Sequence, residues 1–445
     1  MSVFRYESFE TDAESGVLTC RYSVGGREFT EVFTLPPGDR WQTPAAQAAA
    51  RWIFLLAGVS YYKTAAPPEI NLGNHPLTDQ ERTFLRAFYL NGLAEFAYRN
   101  SLDLSALTIT APVDVTSTGI EPGRYHIDRA PHIDRAPHID RGPRALVPFG
   151  GGIDSIVTVE MVRGRADAAL FVVSRPGDTF DAIEAPAKVT GLPIIRAGRQ
   201  IDPLLFRSKE LGFLNGHVPV TGILSAIAVL AAVLDDRDAV VMSNEWSASV
   251  PTLEYQGRPV NHQYSKSEEF EAAFREVTTG LPDYFSALRD RTELWVGEKF
   301  AALTSYHSSF RSCNRAFQLE KSRRLDHWCG ECDKCCFIDL ILAPFMPAAA
   351  LRAVFDGTEP LENATLIPKF RALLGSGTKP FECVGEVNEC RAAALLAASR
   401  PDRSGDDVLR GLAAGVSSRL DAPTPREIEQ MRHPVGESFL PEWLR

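Results

Sequence analysis

Lysine is scarce in this chain. Nine lysines stand against 38 arginines in 445 residues, and no Gly-Lys dipeptide occurs. A Walker-type phosphate loop ends in Gly-Lys, so that route to nucleotide binding is excluded. Positive charge is short overall: the formal net charge of −10 argues against a broad footprint on a phosphate backbone, and no nucleic-acid partner is expected. Long apolar runs are missing too. The longest, Gly222–Leu234, falls short of the about 20 residues that span a bilayer, so it reads as a core helix and no membrane association is expected. Residues Met1-Ser2-Val3-Phe4-Arg5-Tyr6-Glu7 lack a basic-then-apolar leader pattern. Eight cysteines in this length are too few for a secreted disulfide scaffold. The expected compartment is the cytoplasm.

What is present falls into four stretches. Residues 4 to 35 alternate as strands do, at Phe4–Glu7, Val17–Tyr22 and Phe29–Phe33, punctuated by Gly16 and Gly25-Gly26. This is a β-meander signature. Helical patterns follow near Ala45–Leu56 and Asp79–Tyr98, so residues 1–123 read as an N-terminal α+β domain. Residues 124–143 hold three copies of His-Ile-Asp-Arg-x-Pro, beginning at His126, His132 and His138. A proline every sixth residue disfavours a helix, and the segment reads as a solvated linker rather than a histidine metal site. Residues 144–345 alternate strands (Ala145–Phe149, Ala168–Ser174, Leu192–Arg196, Ala239–Ser243) with helices (Thr179–Thr190, Val218–Leu234). That alternation predicts an α/β fold built on a central doubly wound parallel sheet. Residues 346–445 read as a helical C-terminal region.

The most informative segment is Ala145–Thr158, ALVPFGGGIDSIVT. An apolar strand, a glycine turn and a helix start make an anion site, because unpaired N–H groups and the positive dipole end face the ligand. Glycines let the backbone approach phosphate closely. Asp154 can hold Mg²⁺ or orient the loop, and Ser155 can donate a hydrogen bond. The segment resembles the pyrophosphate loop of N-type ATP pyrophosphatases, Ser-Gly-Gly-x-Asp-Ser, with Gly150 in place of the first serine. A plain glycine turn reads similarly. In doubly wound sheets, however, ligands lie beyond the carboxyl ends of the strands, and that rule aligns Gly150–Ser155, Ser174-Arg175 and Asn244-Glu245 along one edge.

Two further groups carry chemistry. Cys313 and the run Cys329-Gly330-Glu331-Cys332-Asp333-Lys334-Cys335-Cys336 can supply four thiolates, Cys313, Cys329, Cys332 and Cys335, to a structural zinc. An iron–sulfur cluster or reduced buried cysteines at a helix start remain alternatives. The polar segments Ser243-Asn244-Glu245-Trp246-Ser247 and Asn261-His262-Gln263-Tyr264-Ser265-Lys266-Ser267 are suited to holding a substrate or moving protons. His217, Arg311 and Asn314 are additional candidates for substrate contact.

Together, GGGIDS, SNEWSAS, VNHQYSKSEEFE and WCGECDKCCFIDLILAPF, in that order and after an opening FRYESFE, resemble the MurL family, ATP-dependent epimerases acting on UDP-N-acetylmuramoyl-L-alanyl-L-glutamate. The resemblance implies a central sheet of the PP-loop ATP pyrophosphatase type and a UDP-sugar dipeptide substrate. It implies that ATP adenylates the glutamate α-carboxylate, followed by inversion at Cα and hydrolysis. Gly150, Gly151, Gly152, Asp154, Ser155, Ser174 and Arg175 would then bind ATP and Mg²⁺. Glu245, His262, Tyr264 and Lys266 would transfer protons, with Glu245 and His262 the preferred acid–base pair. Asn244, Ser247, Gln263, Arg311, Asn314 and His217 would hold the substrate. Another PP-loop adenylating enzyme that forms an amide, nitrile or thiolated product is the alternative, and a non-catalytic ATP-sensing module is a second.

Overall fold

A computed structural model describes residues 2–112, 142–318 and 320–445. The hexapeptide repeat therefore lies almost wholly outside the described residues. Among the described residues there are twelve strands: β1 (Val3–Asp12), β2 (Val17–Val24), β3 (Arg27–Thr34), β4 (Glu69–Asn71), β5 (Thr108–Thr110), β6 (Arg144–Pro148), β7 (Asp167–Ser174), β8 (Ile194–Gln200), β9 (Ala239–Met242), β10 (Leu253–Tyr255), β11 (Arg258–Val260) and β12 (Asp283–Ser286). Ten of them form one sheet, in the order β12-β9-β6-β7-β8-β3-β2-β1-β4-β5, and β10 and β11 form a separate hairpin.

The five strands from β12 to β8 are parallel. Their sequence reads as near-continuous apolar runs because both faces are covered: Ala145, Leu146 and Val147 are each fully buried. The expected strands and helices of this half are present to within a few residues. β12 was not anticipated, since Asp283–Ser286 (DYFS) is short and half polar.

The N-terminal meander continues this sheet. Thr34 to Val32 of β3 pair antiparallel with Gly198 to Gln200 of β8, so the meander covers what would otherwise be an open parallel edge. The helices Pro44–Ala57 and Val220–Leu234 pack on one face, in a core shared by Leu146, Phe171 and Val240 with the aromatic residues Phe4, Tyr6, Tyr22 and Phe54. The other face carries Ala145, Val147, Val241 and Phe285. These pack with the helices Ile153–Val162 and Asp333–Leu342 and with the C-terminal helices, including Val387–Ala398. The pattern expected over Asp79–Tyr98 is broken at Leu93 into Asp79–Gly92 and Ala94–Arg99. Gly92 lies so close to Pro219 that a Cβ there would stand 2.6 Å from the proline ring.

Successive strands run from β6 outward to β7 and β8 on one side, while β9 and β12 lie on the other. The chain order thus reverses at β6/β9, the place where doubly wound sheets open a crevice for ligands. Among the described residues, no helix is long and apolar enough to cross a membrane.

Candidate active site

The glycine loop leaves β6 at this switch point. Gly152 caps the helix Ile153–Val162 with an extended backbone, and Ser155 turns its hydroxyl back onto the Gly152 carbonyl at 3.0 Å. Gly151 has φ +76°, and an ideal Cβ there would stand 2.1 Å from the Ala182 carbonyl oxygen. That oxygen belongs to the helix Asp181–Thr190, whose interior Pro186 has no N–H to offer a carbonyl four residues back. The helix therefore leaves room where the loop crosses it, and only glycine fits there. Gly150, by contrast, is exposed with open space around it.

Three carboxylates converge beside this loop. One oxygen from each of Asp154, Glu245 and Glu293 lies within 4.8 Å of the others. Asp154 Oδ1, Glu245 Oε2 and Glu293 Oε2 are all buried without a hydrogen-bond partner. Buried polar atoms are rarely left unpaired, and a cation here would satisfy all three oxygens. Burial, then the neighbouring Glu245, raise the Asp154 carboxyl to about 7, against the pull of Lys334 and Lys266. Burial, then Asp154 and Glu245, push Glu293 well above the usual carboxylate range. Mg²⁺ favours carboxylate oxygens, and the donor set fits it. Ser243 Oγ, Ser247 Oγ and Arg311 Nη1 are likewise buried and unpartnered. The Arg311 backbone N–H donates to the Gly151 carbonyl at 3.4 Å, which ties that arginine to the loop.

A buried arginine fixes the two polar segments against each other. Arg289, 1% exposed, donates its Nε to Glu271 at 2.8 Å, Nη1 to the Glu245 carbonyl at 3.1 Å and Nη2 to the Lys266 carbonyl at 2.6 Å. Asn244 is held by Ser286, whose hydroxyl accepts the Asn244 N–H and donates to its carbonyl, both at 2.7 Å.

Lys266 lies at the centre, its Nζ 3.4 Å from Gln263 Oε1 and 3.5 Å from Cys383 Sγ. Burial would lower its ammonium, but Cys383, Glu245 and Asp154 together raise it above the ordinary lysine value. His262 Nδ1 hydrogen-bonds Glu95 Oε2 at 2.5 Å, and its ring lies 4.2 Å from that of His217. Burial and then the charge of His262 take His217 down to about 4, which leaves it neutral at physiological pH.

The other candidates are more scattered. Tyr264 faces away from the cluster, its hydroxyl donating to Glu269 at 3.2 Å and its ring packed against Phe270. Ser174 and Arg175 end β7, and Arg175 stacks 4.9 Å over Phe206 beside a cavity of about 290 Å³. Asn314 is exposed beside Cys313. Glu245 and His262, paired in the sequence reading, belong to different groups: Glu245 to the carboxylates and His262 to Glu95 and His217. Lys266, charged beside both Glu245 and Cys383, links the two.

Four residues here carry no signal in the sequence reading: Glu95, Glu293, Lys334 and Cys383. Lys334 was the most findable. It lies between two cysteines of the CxxCxxC run and is one of nine lysines.

The four cysteines Cys313, Cys329, Cys332 and Cys335 bring their sulfurs within 4.8 Å of one another. Cys329 and Cys332 lie 3.6 and 3.4 Å from Cys335, too far for disulfides. Four sulfurs at about 2.3 Å from one zinc would be spaced similarly. Backbone N–H groups of Cys329, Glu331, Cys332 and Cys335 point at these sulfurs at 3.3–3.5 Å. Such donors favour thiolates, and the set fits a closed structural zinc.

Comparison with known proteins completes this picture. Residues 1–286 match the family described as the MurL N-terminal domain, and residues 309–426 match the MurL C-terminal domain. Three relatives each bear the name UDP-N-acetyl-alpha-D-muramoyl-L-alanyl-L-glutamate epimerase. The one from Xanthomonas oryzae pv. oryzae is 38% identical over 100% of this chain and 96% of its own. The one from Salinispora tropica is 39% identical over 89% of this chain and 85% of its own. The one from a Micromonospora species is 39% identical over 94% of this chain and 91% of its own. No solved structure matches. With both family domains in order and relatives aligned along most of its length, the chain belongs to the MurL family.

Proposed function

We propose that this protein inverts the terminal L-glutamate of UDP-N-acetylmuramoyl-L-alanyl-L-glutamate to D-glutamate and consumes ATP to do so. The observation that carries this reading is the meeting, at the sheet's switch point, of a glycine loop with a buried, unpartnered carboxylate group and two lysines. The relatives' names supply the substrate. We further propose that the parallel half of the sheet is of the PP-loop ATP pyrophosphatase type.

A carboxylate resists losing the proton beside it, because its own negative charge opposes a carbanion. Joining the glutamate α-carboxylate to AMP removes that charge and releases pyrophosphate. In this reading the N–H groups of Gly151, Gly152 and the first helical turn, with Gly150 lining the approach, bind the polyphosphate. Ser155 completes the turn that presents them, and Ser174 and Arg175 border the nucleotide. Asp154, Glu245 and Glu293 would hold Mg²⁺, which when bound supplies charge neutralisation for the phosphates. Arg311, tied to the loop with a free buried N–H, and Lys334 stabilise the negative charge that develops during adenylation.

Once the mixed anhydride has formed, a base removes the Cα proton and an acid returns one to the opposite face. The electron pair of the broken C–H bond passes into the acyl oxygen, where Lys266 provides positive charge. Water then hydrolyses the anhydride to the D-glutamyl product and AMP. Asn244, Ser247, Gln263 and His217 line the approach to this centre, and the four cysteines would hold a zinc that braces the segment carrying Lys334.

One incubation tests the reading: the protein with ATP, Mg²⁺ and the UDP-sugar dipeptide in D₂O, following AMP, pyrophosphate and deuterium at the glutamate Cα. AMP together with deuterated D-glutamyl product is the expected result. AMP without exchange or inversion would assign the loop to a different adenylating reaction, and no AMP would remove ATP chemistry from this substrate.

A further inference from the structure

Cys383 stands apart from the four clustered cysteines and belongs to none of the roles above. It lies in the loop before the helix Val387–Ala398 of the C-terminal region, half-buried, with its sulfur facing Lys266 at 3.5 Å. Lys334 Nζ donates to its backbone carbonyl. The His262 imidazole lowers its thiol, and Nδ1 of that ring binds Glu95 at 2.5 Å. Glu95 is held in turn by Arg99 at 2.6 Å. The loop is clasped on the same side: Phe381 packs under the Arg99 guanidinium at 4.9 Å and against Tyr98 at 5.8 Å. Glu95, His262 and Cys383 come from the N-terminal, central and C-terminal parts of the chain, and they form one line.

The arrangement has the logic of an activated nucleophile or base: a sulfur beside a lysine ammonium, an imidazole that acts on it, and a carboxylate that orients the imidazole. Glu95 at Nδ1 leaves Nε2 for Cys383. Burial alone would raise the thiol, but Lys266, the His262 hydrogen bond and Lys334 outweigh it and bring Cys383 down to about 6. Burial would likewise lower His262, yet Cys383 and Glu95 hold it up at about 9. At neutral pH the pair is thus a thiolate beside an imidazolium. The neighbouring ionisable groups agree with this: His217 is neutral, and Cys383, Glu245 and Asp154 together hold Lys266 as a cation. A sulfur 3.5 Å from the buried Lys266, in a loop whose carbonyl takes the Lys334 ammonium, faces charged side chains rather than an apolar core. A structural cysteine is buried and inert.

The geometry points to Cys383 as the catalytic residue that exchanges the glutamate α-proton, with His262 and Glu95 as its positioning pair. This inference rests on the epimerase reading above. In the forward direction the Cys383 thiolate takes the Cα proton of the glutamyl adenylate. An S–H bond forms as the C–H bond breaks, and its electron pair moves into the acyl oxygen. A solvent-exchanging acid protonates Cα from the opposite face, and Cys383 releases its proton to water, so the net proton count is unchanged. His262 and Lys266 keep positive charge beside the sulfur, which is why the thiolate persists at neutral pH.

The test uses the full chain carrying Cys383→Ala, Cys383→Ser or Glu95→Gln, with ATP, Mg²⁺ and the UDP-sugar dipeptide in D₂O. Positioned proton transfer contributes about 10²–10⁴-fold. Both Cys383 variants are therefore expected to lose at least about 100-fold in Cα deuterium incorporation and inversion, while AMP release stays within about threefold of the parent. Glu95→Gln is expected to move the pH profile of inversion and leave that of AMP release in place, which a purely structural role would not do. Melting temperatures near the parent's show that the variants fold, and the near-isosteric serine guards against a packing defect from alanine. Undiminished inversion in both Cys383 variants would overturn the assignment. So would equal loss of AMP release and inversion, which places Cys383 in adenylation, or loss of a second bound divalent metal in Cys383→Ala, which makes the cluster a metal centre. These results differ from failure of the epimerase reading itself, in which the parent protein gives neither AMP nor exchange and both proposals fall together.

Discussion

Replacing Arg289 with methionine should unfasten the candidate site and weaken the whole protein. Arg289 and Glu271 are each 1% exposed and form an ion pair at 2.8 Å. Breaking a buried pair from one side leaves an uncompensated charge and costs about 3–5 kcal/mol. Arg289→Met strands the Glu271 carboxylate and removes the donors to the Glu245 and Lys266 carbonyls. Unfolding entropy of about 2.1 cal/mol/K per residue gives roughly 0.9 kcal/mol/K for a chain of this length, so the melting temperature should fall by roughly 3–5 °C. The companion Glu271→Gln keeps an acceptor for the Ser286 N–H, which now donates to Glu271 at 2.8 Å, but strands the arginine. Combining both changes removes both charges. The double variant should therefore melt above the value obtained by adding the two single losses, a coupling that neighbours in one network show. Calorimetry on the four proteins decides it. Strictly additive losses, or a fall below 1 °C for Arg289→Met, would refute the claim that this pair holds the two segments together.

Gly151→Ala should abolish AMP release, because the residue must adopt φ +76° and its Cβ would meet the Ala182 oxygen at 2.1 Å. Gly150→Ala, with open space around it, should retain AMP release, and equal loss in both would count against the loop geometry. Asp154→Asn should raise the melting temperature of the magnesium-free protein and reduce the further rise on adding Mg²⁺. Burial and Glu245 raise the folded carboxyl from its ordinary 3.8 to about 7, so its contribution to stability is full below about 4 and is lost as pH rises through 7. The stabilisation by Asp154→Asn should accordingly grow between pH 5 and pH 8, and a pH-independent difference would contradict it. Elemental analysis should find one zinc per chain that is lost in Cys332→Ser and kept in Cys336→Ala, and stripping it with a chelator should lower the melting temperature. Full metal retention in Cys332→Ser would refute the four-thiolate assignment.

How far the sequence led depends on the range of the interactions involved. The parallel strands were legible because burial on both faces writes itself as an unbroken apolar run, as in Ala145–Val147 and Ala168–Val172. The glycine loop was legible because its constraints are local: Gly151 needs its φ, and Asp154 and Ser155 lie on the helix that follows. The cysteine set was legible because three of its four members share a seven-residue window. The joining of the meander to β8 was not, since three residue pairs between Val32–Thr34 and Gly198–Gln200 leave no periodic trace across more than 160 positions. Lone residues were the hardest. Glu95 lies on a helix whose other faces explain it adequately, Glu293 follows an ordinary threonine cap, and Cys383 has no partner within reach in sequence. Each acquires its chemistry from residues distant in sequence: Glu95 from His262, Glu293 from Asp154 and Glu245, and Cys383 from Lys266 and Lys334.

The scarcity of lysine takes on a different meaning once the site is assembled. Arginines do the structural pairing: Arg289 with Glu271, Arg403 with Glu359 and Arg199 with Glu31 are charge pairs whose acid is at most 1% exposed. A guanidinium suits that work because its planar fork saturates a carboxylate and neighbouring carbonyls together. The same fork beside Asp154, Glu245 and Glu293 would satisfy the oxygens that are now unpaired and close the site to a cation. Lysine is a compact point charge on a flexible stem. Lys266 and Lys334 oppose the charge of these acids and of Cys383 without hydrogen-bonding the free carboxylate oxygens. Two of nine lysines therefore stand where charge is needed and saturation is not, as the proposed binding of a metal ion and a polyphosphate beside Cys383 requires.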